Sequence, residues 1–242
     1  MTVSPAQYHS LVKAISPDRL ETYATAAAAR QCDVLTLYVW DRDLAAAAIA
    51  DIAIVEVAMR NAMNDALVGL VGGHADWYTF NLGLGDRALK SVAKAWTSVP
   101  RNLRHDAGRV VAHLMFGFWR DLLEASDFVG EGPRRTKVLY DELWVAGLHR
   151  AFPGGKAIAS AAGQKFTRSW TLGAVQEVHA LRNRVAHHEP LVNGFPLPGV
   201  NRRLTGEQGH AACLQLAALL DRDLAGWLTS NSHMAAVLAR RP

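Results

Sequence analysis

Residues 52–66, IAIVEVAMRNAMNDA, decide the fold, because they predict a helix that is buried on most of its sides. The residues that recur at helical spacing on one face are all apolar or small: Ile52, Val55, Met59, Met63 and Ala66. Ile54 and Val57 make much of the remaining surface apolar as well. A helix that is apolar nearly all round is covered by neighbouring elements. The stretch therefore predicts the central helix of an all-α protein.

Helical patterns and caps continue on both sides of this stretch. Ser16-Pro17-Asp18 has the form of a helix N-terminus, and Gly72-Gly73 stops the central helix, which we expect to begin at Asp41 or Asp43. No alternating pattern predicts a strand. We predict one multi-helix bundle over residues 1–242, with eight to ten helices. The other helices are expected over residues 17–28, 33–40, 85–99, 106–125, 136–152, 172–188, 205–228 and 232–240, with a mobile loop over 154–163.

Composition sets broad limits on function. The chain has 242 residues, half of them apolar, and a net charge of +4. A mild basic excess is compatible with RNA binding without requiring it. Cys32 and Cys213 lie far apart in apolar surroundings, as is typical of buried thiols in a reducing compartment. No signal peptide, membrane span, metal site or cofactor motif is predicted, so we expect a cytoplasmic protein.

Leu181–Pro190, LRNRVAHHEP, holds two arginines, an asparagine, two histidines and a glutamate at the end of a predicted helix. Pro190 biases its predecessor out of the helical region, which places the motif at a helix C-terminus. Val178, Leu181 and Val185 form an apolar stripe that His188 continues, so His188 is expected to be structural. His187 shares a more polar face with Asn183 and is the better catalytic candidate.

The pattern Arg182-Asn183-x-x-x-His187 resembles the Arg-x4–6-His signature of the HEPN superfamily, in which many members are metal-independent RNA endonucleases. The string LRNRVAHHEPL, with VEVAMRNAM at residues 55–63 and HLMFGFWRDLL at residues 113–123, is similar to the Abi-like (abortive-infection) proteins of bacterial phage defence. The resemblance covers about residues 20–230. It implies an all-α HEPN-like fold and a growth-arresting endoribonuclease toxin, restrained by an antitoxin protein, a small RNA or an inactive state.

The resemblance assigns roles to residues at matching positions. Arg182 would stabilise charge on the scissile phosphate, and His187 would transfer a proton. The supporting or RNA-binding candidates are Asn183, Arg184, His188, Glu56, Arg60 and Asn61. Glu56, Arg60 or Asn61 would support the site from a facing helix; the simpler alternative is an ion pair between Glu56 and Arg60 on their own helix.

Helix geometry separates the two main candidates, because a spacing of five residues places Arg182 and His187 about 140° apart around the helix. Either Arg182 wraps around the helix, or the helix loosens before Pro190, or a second chain supplies the partner. HEPN proteins commonly dimerise with their motif helices together, so a homodimer with a composite site is the working hypothesis.

Other functions remain open at this stage. Basic residues and histidines suit the last turn of any helix, since they interact favourably with its dipole. A non-catalytic helical module that binds RNA or a protein is therefore the alternative hypothesis. Arg101–Arg109 forms a basic patch that could meet phosphates or simply be a solvated loop. A metal-dependent enzyme is a third, weaker alternative.

Overall fold

The computed structural model describes residues 4–242; Met1–Val3, at the start of the stretch where no signal peptide is predicted, lie outside the described residues. The helices are α1 (Pro5–Ile15), α2 (Pro17–Arg30), α3 (Val34–Leu70), α4 (Asp86–Ser98), α5 (Ala107–Ala112), α6 (Phe116–Asp121), α7 (Tyr140–Ala146), α8 (Gly155–Ala161), α9 (Arg168–Ala186), α10 (Gly206–Leu220), α11 (Arg222–Asn231) and α12 (Met234–Leu238). Short 3-10 turns lie at Trp77–Thr79, Arg101–Leu103, Gly132–Arg134 and Leu148–Ala151. The predicted all-α class is confirmed, and the described residues form more helices than the eight to ten expected.

Helix α3 is the spine of the bundle. Asp33 caps its first turn by accepting a hydrogen bond from the Thr36 amide at 2.8 Å. Its buried face includes Leu44, Ile52 and Met59, which are fully enclosed. Helices α2, α9, α10 and α12 pack directly against it. The central buried helix predicted from residues 52–66 is therefore present.

The predicted break in this helix near Asp41 or Asp43 is wrong. One helix runs from Val34 to Leu70, because Asp41 points into the core and does not cap a helix. Its carboxylate accepts a hydrogen bond from the Tyr23 hydroxyl at 2.8 Å and another from the Leu191 amide at 3.0 Å. Helix α2 and the segment that follows α9 are thereby tied to the spine.

Two small antiparallel sheets correct the expectation of no strands. Strand β1 (Ser126–Val129) pairs with β2 (Thr136–Leu139), and β3 (Phe195–Pro196) pairs with β4 (Arg203–Leu204). The helix predicted over residues 136–152 is consequently wrong at its start, since 136–139 pair as a strand and Leu139 is exposed. Helical spacing of apolar residues could not reveal this pairing of two neighbouring segments.

Three further boundaries differ from the predictions for local reasons. The helix predicted over residues 106–125 is split at Leu114, whose freed carbonyl accepts a hydrogen bond from the Trp119 indole at 3.3 Å. Residues 155–161 form α8 where a mobile loop was expected. The helix predicted over residues 205–228 is broken at Asp221, whose extended backbone and side chain start α11.

Within residues 4–242, no helix is long and apolar enough to cross a membrane.

Candidate functional site

The motif helix α9 lies between α3, α6 and α10, which fixes the direction of each polar side chain. Val178, Leu181 and Val185 are buried, as the apolar stripe predicts. Helix α10 approaches closely at Gly209, where a Cβ atom would lie 3.1 Å from both Leu181 and Phe195. This packing leaves Arg182 directed towards α3 and Asn183 directed towards His179 on its own helix.

The first feature of the site is an ion pair between neighbouring helices. Arg182 Nε lies 3.7 Å from a carboxylate oxygen of Glu56 on α3, and each side chain is about one quarter exposed. The structure thus places Glu56 opposite the motif, and no ion pair joins Glu56 to Arg60 within residues 4–242. Because the contact uses Nε, the two terminal nitrogens of Arg182 keep donors available for a ligand.

A histidine that the sequence analysis missed completes this cluster. The Asn183 side-chain nitrogen lies 3.4 Å from His179 Nε2, and the His179 ring stacks on Phe116 with centroids 5.2 Å apart. We call Glu56, His179, Arg182 and Asn183 the polar cluster. The spacing of His179, Asn183 and His187 at intervals of four residues was the signal in the sequence, since such residues share a helix face.

Burial makes His179 a neutral ring. It lowers the pKa of His179 to about 4, with the charges of Arg120 and Arg182 acting in the same direction. A neutral imidazole can accept the Asn183 amide proton at Nε2, which orients the Asn183 side chain within the polar cluster.

This low pKa predicts a specific dependence of stability on pH. The unfolded chain takes up a proton on His179 near the ordinary pKa of 6.5, but the folded chain does so only near 4. The unfolded state therefore binds more protons in this window, and stability falls as the pH falls. We expect a loss of up to about 1.4 kcal/mol for each pH unit in the window. Denaturant unfolding of His179→Phe should lack this component, whereas His105→Phe, at an exposed position, should retain it. Equal pH dependence in wild type and His179→Phe would contradict the assignment.

Helix α9 ends in a turn that separates the two adjacent histidines. The Glu189 amide donates to the Arg184 carbonyl at 2.9 Å and the His188 amide to the Val185 carbonyl at 3.0 Å, which is the Schellman arrangement. His188 has a φ of 55° and so adopts the left-handed conformation, usually reserved for glycine at this position. His187 is the C-cap residue of α9, and its side chain is exposed. The prediction that His188 continues the buried stripe is wrong, because the chain reverses there.

The turn is braced by charged side chains. Arg184 donates to the Pro190 carbonyl at 2.9 Å and pairs with Glu189, so it holds the turn. Arg19 on α2 donates to the His188 carbonyl. A groove of about 680 Å³ lies beside the turn, and its lining includes Arg19, Tyr38, Ile49, Val185 and His188.

The remaining candidates lie apart from the cluster. Arg60 Nε donates to Asn61 at 3.4 Å, and these residues make no recorded hydrogen bond or ion pair with the motif in the described part of the chain. In the described part of the chain, Arg182 and His187 also make no direct polar contact with each other. No group of three or more His, Cys, Asp or Glu residues is arranged to hold a metal ion in that part of the chain.

Comparisons with protein-family models, with curated protein sequences and with solved structures find no match. The fold is helical, and its candidate site consists of a half-buried polar cluster and an exposed histidine at the end of α9. The resemblance to the Abi-like HEPN proteins rests on the three sequence segments quoted above.

Proposed function

We propose that the protein is a metal-independent endoribonuclease of the HEPN type, acting on RNA in the cytoplasm as an abortive-infection toxin. The observation that carries the proposal is the arrangement of α9. Arg182 is held by Glu56 with its terminal nitrogens available, and His187 is exposed at the end of the same helix. These are the two residues that the motif resemblance marks as catalytic.

The proposed reaction needs a proton removed, a proton delivered and negative charge stabilised. The ribose 2′-OH gives its proton to water or to a His187 imidazole and attacks the adjacent phosphorus. The bond to the 5′-oxygen breaks, that oxygen takes up a proton from His187 or water, and the products are a 2′,3′-cyclic phosphate and a 5′-OH. His187 suits a proton-transfer role because its imidazole is exposed at the end of α9, where a bound RNA could reach it. Arg182 provides paired donors to the phosphate oxygens in the transition state. Asn183, oriented by His179, positions the phosphate.

A homodimer is part of the proposal. Arg182 faces α3 within the bundle, whereas His187 faces solvent at the helix end. One chain therefore leaves the two groups apart, and a second copy that brings its own His187 to the Arg182 side would complete the site. Two-fold symmetry would create two such sites at one interface.

Toxicity implies restraint in healthy cells. An antitoxin protein or a small RNA that covers the His187 turn would prevent substrate from reaching the site. The groove beside His188 is a place where such an inhibitor could bind.

The second candidate is a non-catalytic module that binds RNA or protein. It is favoured by the engagement of both motif arginines, since Arg182 faces Glu56 and Arg184 is occupied by the turn. This alternative predicts binding with no strand cleavage.

Incubation of the purified protein with labelled tRNA and mRNA in EDTA tests the proposal. We expect fragments with 2′,3′-cyclic phosphate and 5′-OH ends, in an activity that follows the protein through gel filtration. A matched RNA with a single 2′-deoxy sugar at the mapped cleavage position should stay intact, because it lacks the attacking hydroxyl. Intact RNA with a folded, inhibitor-free protein would favour the binding module, and cleavage abolished by chelator would favour a metal-dependent enzyme.

A further inference from the structure

The positive charge of the protein is concentrated in one short segment. Residues 87–109 contain six Lys or Arg residues and a single acidic residue, Asp106, which gives a net charge of +5. The whole chain carries +4, so all the other residues together carry −1. The basic excess is therefore a local feature of α4 and the turns that follow it.

Helix α4 is strongly two-sided. Ala88, Val92 and Ala95 are buried, while Lys90 and Lys94 are exposed one turn apart on the outer face. No ion pair of Lys90 or Lys94 is recorded among residues 4–242, in contrast to Arg87, which contacts Asp121 at 3.4 Å. Their charges are free to meet an external anion.

An exposed aromatic ring lies at the end of this helix. Trp96 is 38% exposed, although tryptophan is mostly buried in folded proteins. The Arg104 guanidinium lies 5.6 Å from the ring centroid, and Tyr78 packs edge-on at 6.3 Å. These neighbours hold the indole in place and leave part of the ring open to solvent.

The arginine beside the ring is itself fixed. Arg104 Nε donates to the Val99 carbonyl at 3.0 Å, and its terminal nitrogen donates to the Thr97 carbonyl at 3.4 Å. These bonds cap the end of α4 and keep a cation next to Trp96. Arg101 and His105, both exposed, extend the positive surface along the following turn.

This surface is connected to the candidate site through α6. Asp121 on α6 contacts Arg87 of α4 and also pairs with Arg120. Arg120 and Asp121 are both close enough to influence the pKa of His179. The basic face of α4 is thus linked through the Arg87–Asp121 ion pair to residues that lie near His179.

We propose that Lys90, Lys94, Trp96, Arg101 and Arg104 form a docking surface for single-stranded RNA, named here the α4 surface. An unpaired base stacks on Trp96, and the cations contact the flanking phosphates. A duplex cannot offer a base face to the ring, so single strands are preferred. An anionic membrane fits less well, because the exposed side-chain amide of Asn102 would lose water if the indole entered lipid. The inference rests on the proposed function only in taking RNA as the ligand.

Binding of a fluorescent, 2′-O-methylated single-stranded RNA, which cannot undergo 2′-OH attack, tests the α4 surface without any contribution from cleavage. We expect Trp96→Leu to weaken binding about tenfold, as loss of one stacked base does. Trp227→Leu is the matched control, because Trp227 is 51% exposed on α11, away from the basic segment. The duplex form of the same RNA should bind more weakly than the single strand.

The charges are tested by salt titration of the same complex. Lys90→Ala combined with Lys94→Ala should reduce the slope of log affinity against log salt by about 1 to 1.5. Lys137→Ala combined with Lys156→Ala, at exposed positions elsewhere, should leave the slope unchanged.

Three results would overturn the inference: equal affinities of Trp96→Leu and wild type, preference for the duplex, or Trp96-dependent binding to anionic vesicles in place of RNA. Binding through Trp96 by a protein that never cleaves natural RNA would leave the α4 surface standing and remove the nuclease. If the protein cleaves RNA but Trp96→Leu does not change its RNA affinity, the nuclease proposal stands and the α4 surface is rejected.

Discussion

Arg182→Ala and His187→Ala are each expected to lower the rate of RNA cleavage by about 10²- to 10³-fold. Arg182 would lose the contacts that stabilise negative charge on the phosphate, and His187 would lose the proton transfer. Arg182→Lys should also be strongly impaired, because an ammonium group cannot reproduce the planar pair of donors or the Nε contact with Glu56. The measurement is the single-turnover rate at saturating RNA.

The matched control for His187 is its neighbour. His188→Gly removes an imidazole and places glycine at a φ of 55°, where glycine is unstrained. The turn should therefore keep its shape, and we expect most of the activity to remain. Equal losses in His187→Ala and His188→Gly would mean that the histidines serve the turn and not the chemistry.

Mixing the two inactive variants tests the composite site. If Arg182 of one subunit works with His187 of the other, a mixed dimer contains one intact site. Random exchange of subunits should then restore about a quarter of the wild-type activity, because half of the dimers are mixed and each has one of two sites. No recovery after demonstrated subunit exchange would place Arg182 and His187 of the same chain in one site, or require both sites together.

The general fold could be predicted from the sequence because its strongest signals are local. The apolar spacing of residues 52–66 is a property of α3 alone, and the Ser16 cap is a property of α2 alone. Both are present in the structure. The errors arise where contacts outside the element itself decide its structure. Asp41 appeared to be a cap until Tyr23 and Leu191 supplied its partners, and 136–139 became a strand because 126–129 lie beside them.

The positions of the candidate site residues depend on contacts between helices. The position of Glu56 opposite Arg182 follows from packing two buried helices together, which the apolar patterns imply. The role of His179 depends on Phe116, which lies on another helix. The reversal at His188 depends on a left-handed residue that is not glycine, and no simple sequence pattern announces it.

Asp41→Ala is expected to lower the free energy of unfolding by about 2 to 4 kcal/mol. The substitution leaves the Tyr23 hydroxyl and the Leu191 amide without their acceptor in a buried region. Asp43→Ala is the matched control two residues away, where the carboxylate is half exposed and, within residues 4–242, pairs only with Arg42. Its effect should stay within about 0.5 kcal/mol, as for most surface ion pairs. Urea denaturation followed by circular dichroism measures both.

The pH dependence gives this prediction a second readout. Burial raises the pKa of Asp41, even though the Tyr23 and Leu191 bonds act in the opposite direction. The folded state therefore binds the Asp41 proton more tightly than the unfolded state does. This stabilising contribution is present below the unfolded pKa of 3.8 and is lost as the pH rises through the raised folded value. Asp41→Asn removes that titration but keeps one acceptor, so its stability should lie between those of wild type and Asp41→Ala and respond less to pH.

Because Leu191 directly follows the turn, hydrogen exchange at its amide should speed up in Asp41→Ala and not in Asp43→Ala. Unchanged exchange there would mean that the turn after α9 is held by Arg19 and Arg184 alone.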